Sequence, residues 1–202
     1  GTSDDYDDSI KEIVASNSTI DNETLFEILA VKDIQMAADV LRDVYDDTNG
    51  TDGFVSFEVS PHLAHNTSKT ISEAKRLWET IDRPNLMIKV PATKEGIPAI
   101  ENLIGMGINV NITLMFSIAH YESVANAYIN GLTLLSDPKP ISSVASFFVS
   151  RVDTAVDAIL EKIGSPKALS LRGKSAIMNC KLAYARFLEI FNGANFNAQK
   201  QL

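Results

Sequence analysis

The chain has 202 residues, 45% of them hydrophobic and 22% charged, a balance typical of globular proteins and unlike that of disordered or fibrous chains. Its formal net charge of −8 opposes contact with phosphate backbones and anionic lipid, so we expect neither nucleic acid nor a membrane as partner. The single cysteine excludes an internal disulfide framework, and no apolar run reaches the roughly 20 residues of a membrane span.

The first fifty residues are predicted to be mostly helical. Residues 1–8 are small and acidic, unlike a secretory signal, so a cytoplasmic location is predicted. The same acidic residues suit the N-terminus of a helix, with Ser3 as the candidate cap. Helical spacing of apolar residues predicts two further helices, over 22–29 and 31–47. The following segment, 48–53, is rich in Gly, Asn and Asp and is predicted to be a turn.

Beyond this turn, strands and helices alternate. Strands are predicted over 54–59, 85–90, 108–115 and 141–149, and helices over 68–81, 94–106, 117–134, 152–163 and 171–191. Residues 200–202 are predicted to begin another strand. Helices of this length between strands return the chain to the same end of the sheet, so the strands are expected to be parallel and the fold class is α/β.

Alternating polar positions on the strands distinguish two α/β architectures, an open doubly wound sheet and a TIM (β/α)8 barrel. Strands of an open parallel sheet are apolar on both faces, whereas these carry one polar face, formed by Ser56, Glu58, Lys89, Asn109, Asn111, Thr113, Ser142 and Ser146. A polar inner face predicts the barrel. Four clear strands do not close it, so we expect residues 1–202 to be a single domain that lacks barrel strands at both ends.

The strongest candidate for chemistry is Lys89, an amine within the apolar segment 86–90. Burial of an ammonium group is costly and can lower the pKa of a lysine, which frees the amine to attack a ketone or aldehyde as a Schiff-base nucleophile. Glu58, on the preceding strand, is the candidate general acid/base. The alternative is a lysine that reaches solvent from the strand end or forms a simple ion pair with Glu58.

Other polar residues follow on the next two strands. Asn111 and Thr113 are two residues apart and therefore share the inner face, where they suit a polyhydroxylated substrate or an ordered water, unless they only satisfy each other. Ser146 and Arg151 flank the end of the last clear strand. An arginine near a helix start is a good phosphate ligand, and the alternative is an ion pair of Arg151 with Asp153 or another surface acid.

Four segments, in order, closely resemble transaldolase, and in particular its longer bacterial form: Asp52-Gly-Phe-Val-Ser-Phe-Glu-Val-Ser-Pro, Asn85-Leu-Met-Ile-Lys-Val-Pro-Ala-Thr, Gly107-Ile-Asn-Val-Asn-Ile-Thr-Leu-Met-Phe-Ser and Ala145-Ser-Phe-Phe-Val-Ser-Arg-Val-Asp. The resemblance implies a class I aldolase barrel of the pentose phosphate pathway. Such an enzyme transfers a dihydroxyacetone unit from sedoheptulose 7-phosphate to glyceraldehyde 3-phosphate, and it uses no cofactor.

The resemblance also implies a role for each matching residue. Lys89 corresponds to the Schiff-base lysine, and Glu58 to the glutamate that works with Thr113 through a catalytic water. The substrate-binding positions implied by it are Asn111, Ser146, Phe148 and Arg151, of which Phe148 lines the pocket and Arg151 binds phosphate. The family's first-strand aspartate, next-strand asparagine and late phosphate-binding residues have no counterpart in the chain, so we expect it to be the central portion of the enzyme.

Two alternative functions stay open: a fructose-6-phosphate-type aldolase of the same superfamily, and an inactive sugar-phosphate-binding fragment. No metal is predicted, because His62 and His65 have no third ligand at a suitable spacing. The expected partners are phosphorylated sugars, and a homodimer is the candidate assembly.

Overall fold

The computed structural model describes residues 4–135, 140–193 and 196, and the candidate cap Ser3 and the strand predicted at 200–202 lie outside them. The helices are α1 (Asp7–Ser16), α2 (Asn22–Val40), α3 (Arg42–Asp47), α4 (Thr67–Ile81), α5 (Gly96–Gly105), α6 (Ile118–Thr133), α7 (Ser150–Ile163), α8 (Pro166–Leu169) and α9 (Ser175–Phe191). The strands are β1 (Val55–Glu58), β2 (Leu86–Pro91), β3 (Val110–Met115) and β4 (Ser143–Phe147).

Within the described residues, the strands form a four-stranded sheet in the order β1-β2-β3-β4. β2 and β3 are parallel and place Lys89 beside Asn111, and β3 and β4 are parallel and place Asn111 beside Val144. Each strand is followed by a helix, as a crossover between parallel neighbours requires. The α/β prediction is therefore confirmed, with the sequential strand order of a β/α barrel.

The described residues divide into two compact units. The first comprises those of 1–55 and 78–86, and the second those of 56–77 and 87–202. In the first unit, the buried side-chain amide of Asn85 donates to the carbonyl oxygens of Ala38 (2.8 Å) and Gly53 (2.9 Å), which ties α2 to the turn before β1. The single-domain organisation stays a prediction.

The core of the second unit lies between one face of the sheet and helices α5 and α6. It is formed by the fully buried aliphatic side chains of Ile88, Val90, Val110, Ile112, Ile100, Leu103 and Ile104. These strand residues alternate with Lys89 and Asn111, which are only partly buried. The opposite face of the sheet therefore carries polar side chains, as the alternation in the sequence predicts.

The boundaries of four predicted elements were wrong. The break predicted between 22–29 and 31–47 is absent, because 22–40 contains no Gly or Pro to interrupt α2. The helices are divided at Leu41 instead. The helix predicted from 171 begins at Ser175, since Gly173 adopts a left-handed φ of 66°, and the Ser165-Pro166 start of α8 was not predicted. β4 is shorter than predicted.

Across the described ranges, no helix combines the length and apolar character that crossing a bilayer requires.

Candidate active site

Lys89 and Glu58 form an ion pair on the polar face of the sheet. The Nζ atom of Lys89 lies 3.7 Å from Oε2 of Glu58. The lysine side chain is 33% exposed and the glutamate side chain 49%, although the strand residues on either side of Lys89 are buried. Because Glu58 is the last residue of β1, the pair lies at the carboxyl end of the sheet, where barrel enzymes carry their active sites.

Asn111 on β3 connects two other strands through its side-chain amide. Its Nδ2 atom donates to Oγ of Ser56 on β1 at 2.9 Å, and its Oδ1 atom accepts from Oγ of Ser146 on β4 at 2.8 Å. Asn111 is also the register partner of Lys89. The Ser56–Asn111–Ser146 chain of hydrogen bonds therefore lies directly beside the lysine strand.

Thr113 lies two residues beyond Asn111 on β3 and is 2% exposed. The next residue, Leu114, has a φ of 62°, a left-handed conformation that is unfavourable for a branched side chain. The register of β3 with β4 shifts at the same point, between Ile112 and Met115. A bulge of this kind re-aims side chains, and such irregularities cluster at functional sites.

Aromatic and cationic side chains form a third group at the ends of β3 and β4. The rings of Phe116 and Phe148 stack with centroids 5.1 Å apart, and the guanidinium carbon of Arg151 lies 4.6 Å from the centroid of the Phe148 ring. Arg151 is exposed at the second position of α7, whose N-terminus has no side-chain cap. A guanidinium beside the N-terminus of a helix is a suitable site for an anion.

The loops that follow β1 and β2 are joined by hydrogen bonds. The hydroxyl of Thr93 donates to the carbonyl oxygen of Ala64 at 2.6 Å, and that of Thr67 donates to the carbonyl oxygen of Glu95 at 2.7 Å. The Nδ1 atom of His65 lies 3.3 Å from Oε2 of Glu95. These contacts hold together the two loops that leave the strands of Glu58 and Lys89.

No set of three or more His, Cys, Asp or Glu side chains in the described parts of the chain is arranged to hold a metal ion. The functional groups at the polar face are an amine, a carboxylate, hydroxyls, an amide and a guanidinium. An amine with an adjacent carboxylate can form a Schiff base and transfer the accompanying protons.

Six of the seven predicted site residues thus occur in three groups, Lys89 with Glu58, Asn111 with Ser146, and Phe148 with Arg151, and the seventh, Thr113, belongs to none of them. Arg151 does not form the alternative ion pair with Asp153: its guanidinium packs on Phe148, and the carboxylate of Asp153 accepts from the backbone N–H of Ala176 at 2.8 Å. The side-chain amide of Asn111 bonds Ser56 and Ser146 rather than Thr113.

Two residues that contact these groups, Ser56 and Phe116, were not predicted as site residues. Ser56 shares the face of Glu58 two residues away, a signal visible in the strand alternation. Phe116 follows β3 and stacks on Phe148, and nothing in the sequence distinguishes it from an ordinary core aromatic.

Sequential parallel β/α units with polar side chains at the carboxyl ends of the strands place the chain in the class of β/α-barrel proteins. Comparison with known sequences is consistent with this class. Residues 1–199 match the model of the family described as Transaldolase/Fructose-6-phosphate aldolase.

Three relatives named Transaldolase are each 47% identical to this chain. The protein from Thermobifida fusca aligns over 202 residues, which are 98% of this chain and 54% of that protein. The protein from Mycolicibacterium smegmatis aligns over 195 residues, 95% of this chain and 52% of its own length. The protein from Thiobacillus denitrificans aligns over 201 residues, 98% and 55% respectively.

The chain therefore belongs to the transaldolase/fructose-6-phosphate aldolase family, as its four motifs predict. It spans about half the length of the curated relatives that it matches.

Proposed function

We propose that the protein carrying this chain is a transaldolase, a transferase that moves a dihydroxyacetone unit from sedoheptulose 7-phosphate to glyceraldehyde 3-phosphate. The observation that carries the proposal is the 3.7 Å pair of the Lys89 amine and the Glu58 carboxylate on the polar face of the sheet. The names of the relatives support the transferase over a simple aldolase, since each of those described above is named Transaldolase.

In this mechanism the unprotonated Lys89 amine attacks the ketone carbon C2 of the donor sugar and forms a C–N bond. Loss of the C2 oxygen as water yields an iminium ion, and Glu58 exchanges the protons of this step through a water held with Thr113. The C3–C4 bond then breaks, its electron pair moves toward the iminium nitrogen, and the C4 hydroxyl gives its proton to a general base, the role of the family's first-strand aspartate, as erythrose 4-phosphate leaves. The enamine that remains on Lys89 adds to the aldehyde of glyceraldehyde 3-phosphate, whose oxygen takes that proton back, and hydrolysis of the iminium releases fructose 6-phosphate.

Binding of the sugar phosphates is assigned to the other two groups. Asn111 and Ser146 offer an amide and a hydroxyl to the sugar oxygens beside Lys89, and this is supported by the register that pairs Lys89 with Asn111. Arg151 at the start of α7 offers its guanidinium to the phosphate, with Phe148 as the wall against which the guanidinium packs. No cofactor is required by this chemistry.

The test is donor consumption with and without an aldehyde acceptor, in the full-length protein that contains this chain. A transaldolase converts donor at a rate that depends on glyceraldehyde 3-phosphate, whereas an aldolase releases free dihydroxyacetone without it. Lys89→Met should abolish turnover, and Lys94→Met, an exposed lysine on the loop after the same strand, is the matched control. Acceptor-independent release of dihydroxyacetone would replace the transferase with the aldolase. Full activity of the Lys89→Met variant would overturn both.

A further inference from the structure

The hydrogen bond between Ser56 and Asn111 joins strands that are not neighbours, since β2 lies between β1 and β3. In a flat sheet, strands two apart are about 9.5 Å from each other. A hydrogen bond between serine and asparagine side chains spans only about 7 Å between the two Cβ atoms, from bond lengths and the donor–acceptor distance. The sheet must therefore curve toward its polar face at this point, as in barrels, where alternate strands supply the side chains of one layer.

The two serines hold the Asn111 amide at both ends. A side-chain amide has two N–H donors and two acceptor lone pairs. Ser56 takes one donor and Ser146 takes one lone pair, which, among the described residues, leaves one N–H and one lone pair of Asn111 available to a ligand. Because the amide is fixed at its nitrogen and at its oxygen, it cannot turn about its last side-chain bond without breaking a hydrogen bond.

We propose that Ser56 is a positioning residue that fixes the Asn111 amide beside Lys89, so that the free N–H of Asn111 donates to an oxygen of the keto-sugar attached to the lysine. This inference rests on the proposed function. Ser56 itself acts through Asn111 and not on the reacting atoms. Positioning of this kind matters because catalytic groups must be held within a fraction of an ångström of the productive geometry.

The test is a double-mutant cycle of Ser56 and Asn111 in the full-length protein, read out as kcat/KM for the donor sugar. Ser56→Ala should lower kcat/KM about tenfold, the effect of losing one hydrogen bond to a positioned group. Ser56→Thr, which keeps the hydroxyl, should restore most of the activity. In the Asn111→Ala background, Ser56→Ala should cause no further loss, because a residue that acts only through Asn111 has nothing left to position.

Ser143→Ala is the matched control. Ser143 also forms one strand hydrogen bond, from its hydroxyl to the carbonyl oxygen of Val110 at 2.8 Å, but it belongs to none of the three groups. Its loss should lower the unfolding midpoint without changing kcat/KM. If Ser56→Ala fails to fold, Ser56→Cys, with its weaker hydrogen-bonding sulfur, takes its place in the cycle.

Two results would overturn the inference. One is an unchanged kcat/KM in Ser56→Ala. The other is a fold-loss in kcat/KM from Ser56→Ala that is as large in the Asn111→Ala background as in the wild type. Failure of the proposed function has a separate signature. In that case, borohydride would trap no sugar on the wild-type protein or on the Ser143→Ala variant. If the protein traps sugar normally but its kcat/KM does not depend on Ser56, only the positioning role is refuted.

Discussion

The turn between β2 and α5 provides a direct test of how the loops hold the lysine strand in place. An ideal Cβ atom at Gly96 would lie 2.1 Å from the carbonyl oxygen of Pro91, the last residue of β2, and 3.0 Å from Oγ1 of Thr93. The backbone N–H of Gly96 also donates to Oγ1 of Thr93 at 2.9 Å. Gly96→Ala therefore forces a methyl group into space that backbone atoms occupy.

The expected magnitude follows from this overlap. The nearest atom belongs to the backbone, so no flexible side chain can move aside, and the end of β2 or the start of α5 must shift. Overpacking of a well-packed site costs about 1–3 kcal/mol, and we expect Gly96→Ala to lie at the upper end of that range. Because Lys89 is two residues before Pro91, a shift of about 1 Å at the strand end should also lower kcat, by up to about a hundredfold.

Urea unfolding followed by circular dichroism, together with kcat on the same samples, is the appropriate assay. Gly164→Ala is the matched control, because an added Cβ there meets no atom closer than 3.6 Å and only the φ of 66° is unfavourable. Gly164→Ala should lower the free energy of unfolding by about 1 kcal/mol and leave kcat unchanged. Equal stability of the Gly96→Ala variant and the wild type would refute the geometry of this turn.

Three further predictions concern the candidate site and the core behind it. Glu58→Gln should reduce turnover by about 10²–10⁴-fold, the usual contribution of a proton-transfer group. The unfolding midpoint should change little, because the ion pair of Glu58 with Lys89 is half exposed. A turnover rate within a factor of two of wild type would show that Glu58 does not transfer the protons. Arg151→Ala should raise KM for phosphorylated sugars by about 10–100-fold and leave KM for unphosphorylated analogues nearly unchanged, so equal effects on both would exclude a phosphate contact. Burial raises the pKa of Tyr121 to about 12, which means that its contribution to stability is intact below pH about 10 and is lost as the pH rises through 12. An ultraviolet titration of the folded protein should show this late phenol ionisation, and Tyr121→Phe should remove it; an unchanged titration in that variant would assign the ionisation to another tyrosine.

Much of the polar face could be predicted because strand side chains alternate with a period of two. Once 85–90 is taken as a strand, Lys89 must face away from Ile88 and Val90, and the same reasoning places Asn111 opposite Val110 and Ile112. The parallel direction of the strands followed from the helices between them. Neither step requires knowledge of any long-range contact.

The remaining features depend on geometry that no local pattern contains. The contact of Ser56 with Asn111 arises from the curvature of the sheet across β2, and the left-handed Leu114 carries no glycine or asparagine to mark it. The break at Leu41 likewise has no residue that signals it, and nothing in the structure explains why the helix is interrupted there.

Peptide mapping after reductive trapping identifies directly which lysine forms the Schiff base. The full-length protein is incubated with fructose 6-phosphate, reduced with borohydride, digested and analysed by mass spectrometry. We expect a three-carbon dihydroxyacetone adduct on the peptide containing Lys89, lost in Lys89→Met but retained in Lys94→Met. An adduct on another lysine would remove Lys89 as the nucleophile, and efficient turnover of sugar with no adduct at all would exclude the Schiff base.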